Sequence, residues 1–107
     1  MPESDVKVDV IIIGGGLAGI TTAYLMKQAG RTVALLERGR CAGGDTGHTT
    51  AHLTAMPDMR LHELVRNFGK QAARDVWDAG IAAIDQIATI IGREKIDCAF
   101  ARLMGFL

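Results

Sequence analysis

The sequence predicts an α/β chain in which a βαβ unit is followed by two helices and then by the start of an antiparallel strand pair. Three observations carry this. A β-branched run ends in three consecutive glycines and leads through a helix to a second apolar run, from Val8 to Glu37. From Lys70 to Ile91 apolar residues recur every three or four positions, and from Ile96 they alternate with their neighbours.

The first strand, Val8 to Ile13, reads VDVIII, and five of its six residues are β-branched and apolar. This is the composition of a parallel strand covered on both faces. Gly14, Gly16 and Gly19 complete G-x-G-x-x-G, with Gly15 at the first variable position. Gly14 allows the turn from strand to helix, Gly16 lets a pyrophosphate approach the backbone, and Gly19 lets the helix lie close to the sheet. Ala23, one turn on, is also small. The helix is expected over Leu17 to Ala29, with Ile20, Ala23, Tyr24 and the Lys27 stem along one side and Gly30 as its terminating residue. Its unpaired N-terminal amides and its dipole favour a phosphate at the glycine turn. Thr32 to Leu36 forms the second strand, and Glu37 stands at its end, 18 residues beyond Gly19. That is close to the spacing of an acid that binds both hydroxyls of an adenosine ribose. Strand, turn, helix, strand and acid together read as a Rossmann-like dinucleotide-binding unit. Glu37 would repel a 2′-phosphate, which disfavours an NADP-type ligand.

The bulk properties narrow the class. Twelve Lys and Arg balance twelve Asp and Glu, so no basic excess steers the chain towards nucleic acid. Hydrophobic residues make up 49%, enough for a core. Cys41 and Cys98 lack C-x-x-C spacing and read as free thiols in a reducing compartment. No apolar run approaches the ~20 residues of a membrane span, and Glu3 and Asp5 argue against a signal peptide. A soluble cytoplasmic protein is expected. A doubly wound domain needs about five strands, and only two parallel ones are secure here. The 107 residues are therefore read as a piece of a longer or split polypeptide. The alternative is a small protein that completes its sheet by association.

Three regions are expected: 1–57, the βαβ unit and its following loop; 58–92, helical; and 93–107, the beginning of a second sheet. Met1 to Lys7 is polar and frayed. Arg38 to Thr54, RGRCAGGDTGHTTAHLT, is rich in Gly and Thr and suits a loop around a ligand, although an ordinary exposed connection has the same composition. Asp58 to Asn67 reads as a short helix, separated by Gly69 from the longer one over Lys70 to Ile91. Gly80 lies inside that helix and suggests a close helix crossing. Trp77 reads as a packing residue rather than a ring stacker, and Gly92 as the helix end. From Ile96, IDCAFARLMGFL alternates like a strand, with Met104-Gly105 as a turn and Phe106-Leu107 opening a partner strand.

The glycine fingerprint, the run GRTVALLE and the segment AGGDTGHTTAHLT together resemble the FAD-dependent oxidoreductases of the D-amino-acid oxidase and glycine/sarcosine oxidase superfamily. The resemblance looks closest to a bacterial branch that often carries a C-terminal Rieske domain, and CAFARLMGFL is similar to a strand pair of that branch. It implies FAD as cofactor. Gly14, Gly15, Gly16, Ala18 and Gly19 would hold the pyrophosphate, Glu37 the ribose, and Arg38 would lie beside the adenine or its ribose. Gly43, Gly44, Thr46, Thr49 and Thr50 would pass the pyrophosphate towards the flavin ring. His48 has the order of a G-x-T-x-H segment that carries flavin covalently in some relatives, but the residues after it differ, and a noncovalent contact or an ordinary loop role stands beside that reading. His52 faces the active site or caps a turn, and His62 lies on a helix surface. Cys41, His48 and His52 do not make a metal set.

The implied chemistry is hydride removal from a carbon beside an amine nitrogen, so the expected partner is a small amine or amino-acid-like substrate, with no nucleic acid and no membrane span. Catalytic residues are not assigned, and the missing C-terminal part or a partner chain is expected to complete the fold, so this chain alone is expected to be inactive. Two other readings stay open: an NAD-binding dehydrogenase segment, and a non-catalytic dinucleotide-binding subunit that needs a partner.

Overall fold

The computed structural model describes residues 5–105. Its elements are β1 (Val10–Ile13), α1 (Leu17–Gln28), β2 (Val33–Leu36), a 3₁₀ turn (Asp45–His48) and α2 (Leu61–Glu94). The chain divides into two compact units, Met1–Ala51 and His52–Leu107. No helix among the described residues is long and apolar enough to cross a membrane.

In the first unit β1 and β2 pair in parallel, with Val10 opposite Val33 and Ile13 opposite Leu36. Their connection through α1 is the expected βαβ crossover. A side-chain clamp sets the register at its lower end. The Asp9 carboxylate accepts hydrogen bonds from the Thr32 amide and hydroxyl, each at 2.8 Å, while the Asp9 amide donates to the Thr32 hydroxyl at 2.9 Å. These bonds hold the Asp9 carboxyl below its usual pKa, the Thr32 amide contributing most. Gly30 takes φ 77°, and Arg31 N–H bonds back to Met26 O, closing α1 as the glycine predicts.

α1 turns Gly19 and Ala23 to the sheet, as expected, but not Ile20. A Cβ on Gly19 would collide with the Gly14 carbonyl oxygen and lie 3.4 Å from Ile12 Cγ2, so Gly19 itself faces β1. Helical spacing then brings Ala23 and Met26 to the same side, and both are half-buried. Ile20 falls off that line and is 40% exposed. Ile11 and Ile13 on β1 are 62% and 86% exposed, and among the described residues β1 has β2 as its sole strand partner.

In the second unit Glu63 Oε2 accepts the Arg60 N–H at 3.1 Å, which starts α2 at Leu61 instead of Asp58. Gly69 interrupts the helix at φ 86°, ψ 165°, so two helical stretches are present, as expected. Gly80 is explained by a non-helical segment that bends at Ala55 rather than by a helix crossing: a Cβ there would lie 3.1 Å from both Cα and O of Ala55. Trp77 is half-buried and shares a shallow groove with Leu61, Val65 and Ala73. The long helix does not stop at Gly92. It continues to Glu94 and ends where Lys95 adopts a left-handed φ of 52°, with Ile96 N–H bonded to Ile91 O. A glycine in helical conformation costs about 1 kcal/mol but does not break the helix unless it leaves that conformation.

The expected antiparallel strand pair at 93–107 is not formed among the described residues; the sheet that is present is the parallel β1–β2 pair. Alternation alone makes no strand. Its amides and carbonyls must meet a neighbour, and Ala99 at φ 53° breaks the extended run at its centre. Arg102 instead bonds Asp85 on α2 at 2.6 Å. Phe106 and Leu107, the expected start of the partner strand, lie outside the described residues, as do Met1–Ser4 of the N-terminal segment expected to fray.

Candidate functional site

The site forms where β1 gives way to α1. Gly14 N–H still bonds Leu36 O at 2.8 Å, extending the ladder by one residue, and the chain then turns at a Gly14 φ of 104°. That conformation requires glycine. Gly15 is buried, and its environment is filled from two sides. Its N–H donates to Glu37 Oε2 at 2.7 Å, and its carbonyl accepts the Ala42 N–H at 2.8 Å. A Cβ on Gly15 would lie 2.8 Å from Cys41 Sγ and 3.3 Å from Glu37 Cβ. The motif's first variable position is therefore confined to glycine here by the loop folded over it.

Gly16 is the N-cap of α1 and has no side chain with which to cap it, and no acidic residue stands in the first turn. The Leu17 N–H is met from a distance, by Thr46 Oγ1 at 3.1 Å. The turn that leads into this helix, Gly14 to Gly16, lines a groove of about 530 Å³. Helix dipole and free amides together make this end favourable for an anion.

Glu37 closes the other end. Besides Gly15, its carboxylate accepts the Gly39 N–H at 2.8 Å on Oε1. Each oxygen thus holds one amide, and each keeps a lone pair for a further donor. The two amides, Gly15 first, hold the carboxyl below its usual pKa, so it is ionised at neutral pH.

The Gly/Thr segment folds as a set of tight turns, with Gly43 N–H on Arg40 O and Gly47 N–H on Gly44 O, both at 2.9 Å. Ala42 sits at φ 57° inside the first of them. Added Cβ atoms would come within 2.8 Å of Arg40 O at Gly43 and 2.5 Å of Ala42 O at Gly47. Glycine is needed there for close backbone approach. His48 closes the 3₁₀ turn with Nδ1 3.0 Å from Gly44 O. Because a carbonyl only accepts, Nδ1 is the donor in this contact.

The structure thus brings together Gly14, Gly15, Gly16, Glu37, Arg38, Gly43, Gly44 and Thr46 around one groove. Ala18 and Gly19 lie in the first turn of α1 and do not line it. His48, Thr49 and Thr50 are exposed beyond its edge. Gly39, Arg40, Ala42 and Asp45 line the groove although sequence reasoning did not single them out. A signal for Gly39 was present: a glycine two residues after an acid can place its amide on that carboxylate. Arg40 carried the same signal as Arg38, a cation within a few residues of the strand end. The groove offers amide donors, a hydroxyl, two carboxylates and two guanidiniums, an arrangement suited to binding a ligand with phosphates at one end and hydroxyls at the other.

Comparison with known proteins accords with this geometry. A family model described as FAD dependent oxidoreductase matches residues 9–107. A Bacillus subtilis (strain 168) protein, YhfW, named for a Rieske 2Fe-2S iron-sulfur centre, is 42% identical over 105 residues, 98% of this chain and 21% of its own length. The sarcosine oxidase subunit beta of Rhodobacter capsulatus is 30% identical over 81 residues, 70% of this chain and 20% of its own. The gamma-glutamylputrescine oxidoreductase of Escherichia coli (strain K12) is 26% identical over 98 residues, 92% of this chain and 23% of its own. The chain spans about a fifth of the length of these relatives. No solved structure matches it.

Proposed function

Because this chain belongs to the FAD-dependent oxidoreductase family, we propose that its groove holds the ADP half of FAD and that the whole protein oxidises a small amine or amino-acid-like donor. The observation that carries the reading is the pairing of the glycine turn before α1, a helix with no cap of its own, with an ionised Glu37 across one groove. The residues fit the cofactor. The backbone from Gly14 to Gly16 carries no side chains in the way of a close approach, as a pyrophosphate requires, and of its three amides that of Gly16 is not given to Leu36 O or Glu37. The free lone pairs of Glu37 can accept the two ribose hydroxyls while its carboxylate stays fixed by Gly15 and Gly39. Arg38 at the rim is placed for the adenine or its ribose, and Gly43, Gly44 and Thr46 carry the pyrophosphate contacts onward. His48, Thr49 and Thr50 continue from there towards the flavin ring.

FAD, when bound, supplies the hydride acceptor for oxidation at a carbon next to nitrogen. This chain's own part is to bind and orient. The α1 N-terminus and loop amides neutralise phosphate charge, and Glu37 selects an unphosphorylated ribose. No residue is assigned to proton transfer. The amine donor is supported by the names of two relatives, an oxidase of sarcosine and an oxidoreductase of gamma-glutamylputrescine. A cytoplasmic location and completion of the site by polypeptide beyond these residues, in the same chain or a partner, belong to the same proposal.

The test is calorimetric titration of the purified protein with ADP and with 2′-phospho-ADP. ADP binding, with the 2′-phosphate analogue at least tenfold weaker, is expected. Equal binding of both would remove Glu37 from the ribose position. For the substrate, anaerobic addition of secondary amines to the flavin-loaded protein should bleach its visible absorbance; bleaching by 2-hydroxy acids but not amines would overturn the donor class.

A further inference from the structure

We propose that Thr46 is a positioning residue that caps α1 from outside the helix and yields the Leu17 amide to a phosphate oxygen when the cofactor binds. The inference rests on the reading of the groove as a cofactor site and adds a coupling between its two halves. Four observations lead to it. First, α1 has no cap of its own: Gly16 lacks a side chain and the first turn has no acid. Such an end leaves amides seeking an acceptor. Second, the Thr46 hydroxyl, 29 residues away in sequence, accepts the Leu17 N–H at 3.1 Å and so supplies that acceptor. Third, a Cβ on Gly16 would stand 3.3 Å from Thr46 Oγ1, a tight contact, so glycine at the N-cap is also what admits this hydroxyl. Fourth, Thr46 belongs to a stiff turn. Gly47 N–H bonds Gly44 O, His48 Nδ1 bonds the same carbonyl, and Gly47 packs its backbone on Ala42 O.

A phosphate at the α1 N-terminus and the Thr46 oxygen therefore compete for one donor. The hydroxyl has a way to give it up. A threonine hydroxyl is donor as well as acceptor, so after release it can turn its own O–H towards the phosphate. Through the cap, the turn carrying His48 is tied to the glycine turn. The Ala42 N–H bond to Gly15 O acts as the second tether, keeping the loop in place while Thr46 changes partner.

The experiment is amide hydrogen exchange by NMR on the purified protein, comparing wild type, Thr46→Ser and Thr46→Val, each alone and with saturating ADP. Without ADP, Thr46→Val should accelerate exchange at Leu17 on the order of fivefold, the factor an ordinary cap supplies. Thr46→Ser should restore the wild-type rate, which a role through methyl packing would not. With ADP, Leu17 should be equally protected in wild type and Thr46→Val, because phosphate then fills the place of the hydroxyl. Unchanged Leu17 exchange in unliganded Thr46→Val would overturn the cap. Fast Leu17 exchange in ADP-bound Thr46→Val would overturn the handover while leaving the cofactor site standing. Failure of ADP to bind any of the three proteins would instead overturn the cofactor reading, and the handover with it.

Discussion

Replacing Gly19 by alanine should unfold the site from beneath. In an exposed helix interior the change would be favourable by about 1 kcal/mol, since alanine is the better helix former. Here the added Cβ would fall inside the Gly14 carbonyl, 3.1 Å from its carbon and 3.4 Å from Ile12 Cγ2. Two of those three neighbours are backbone atoms, so no flexible side chain can step aside. Non-bonded carbon and oxygen rest roughly 3.3 Å apart, so α1 or the glycine turn must move by on the order of 1 Å. Overpacking of this kind costs up to about 3 kcal/mol. After the gain in helix propensity the net loss is about 2 kcal/mol, roughly thirtyfold in the folding equilibrium. Urea denaturation followed by circular dichroism measures it, and FAD titration should show weakened binding, because the displaced turn carries Gly14 to Gly16. Gly44→Ala is the control: φ is −95° and nothing lies within 4 Å of its would-be Cβ. A Gly19→Ala protein as stable as wild type, with unaltered FAD affinity, would refute the close approach of α1 to β1.

Other outcomes follow from the same geometry. Gly15→Ala should destabilise by about 1–3 kcal/mol through the contact with Cys41 Sγ at 2.8 Å, and Cys41→Ala should relieve part of that loss in a double-mutant cycle. Gly69→Ala has open space around it but requires φ 86°, ψ 165°, so about 1–3 kcal/mol of backbone strain should appear in thermal denaturation. The Glu37 and Asp9 carboxyls both have folded pKa values depressed below the unfolded ones. Their contribution is fully present above the ordinary carboxyl pKa and is lost as pH falls through the depressed folded value. A denaturation series from the ordinary carboxyl pKa downward should show stability falling as pH falls, and Asp9→Asn should flatten the slope. A stability rising as pH falls would contradict both networks.

Much of the βαβ unit was legible because its determinants are local. β-branched residues, a glycine turn, a capping Gly30 and an acid after the second strand lie in one continuous stretch, and each acts on its neighbours. Gly69 was legible for the same reason. What escaped prediction depends on pairs distant in sequence. The segment from Ile96 alternates correctly, but a ladder needs a second backbone, and Ala99 turns left-handed instead. On α1 the close approach at Gly19 and Ala23 was legible, whereas Ile20 was wrongly added to that face on residue size. Gly92 looked like a stop, but glycine ends a helix only when its φ turns positive, and that step falls to Lys95. In the groove, the glycines and Glu37 announced themselves by spacing. The Thr46 bond to Leu17 and the folding of Cys41 over Gly15 join the two motifs across more than twenty residues, and no pattern within either motif encodes them.

The most direct test of the account is an absorption spectrum of the natively purified protein, followed by acid precipitation. The account predicts flavin bands that pass into the supernatant as free FAD, and a Glu37→Ala variant that retains little of them. A folded, colourless protein that takes up no added FAD would contradict the assignment of the groove to that cofactor.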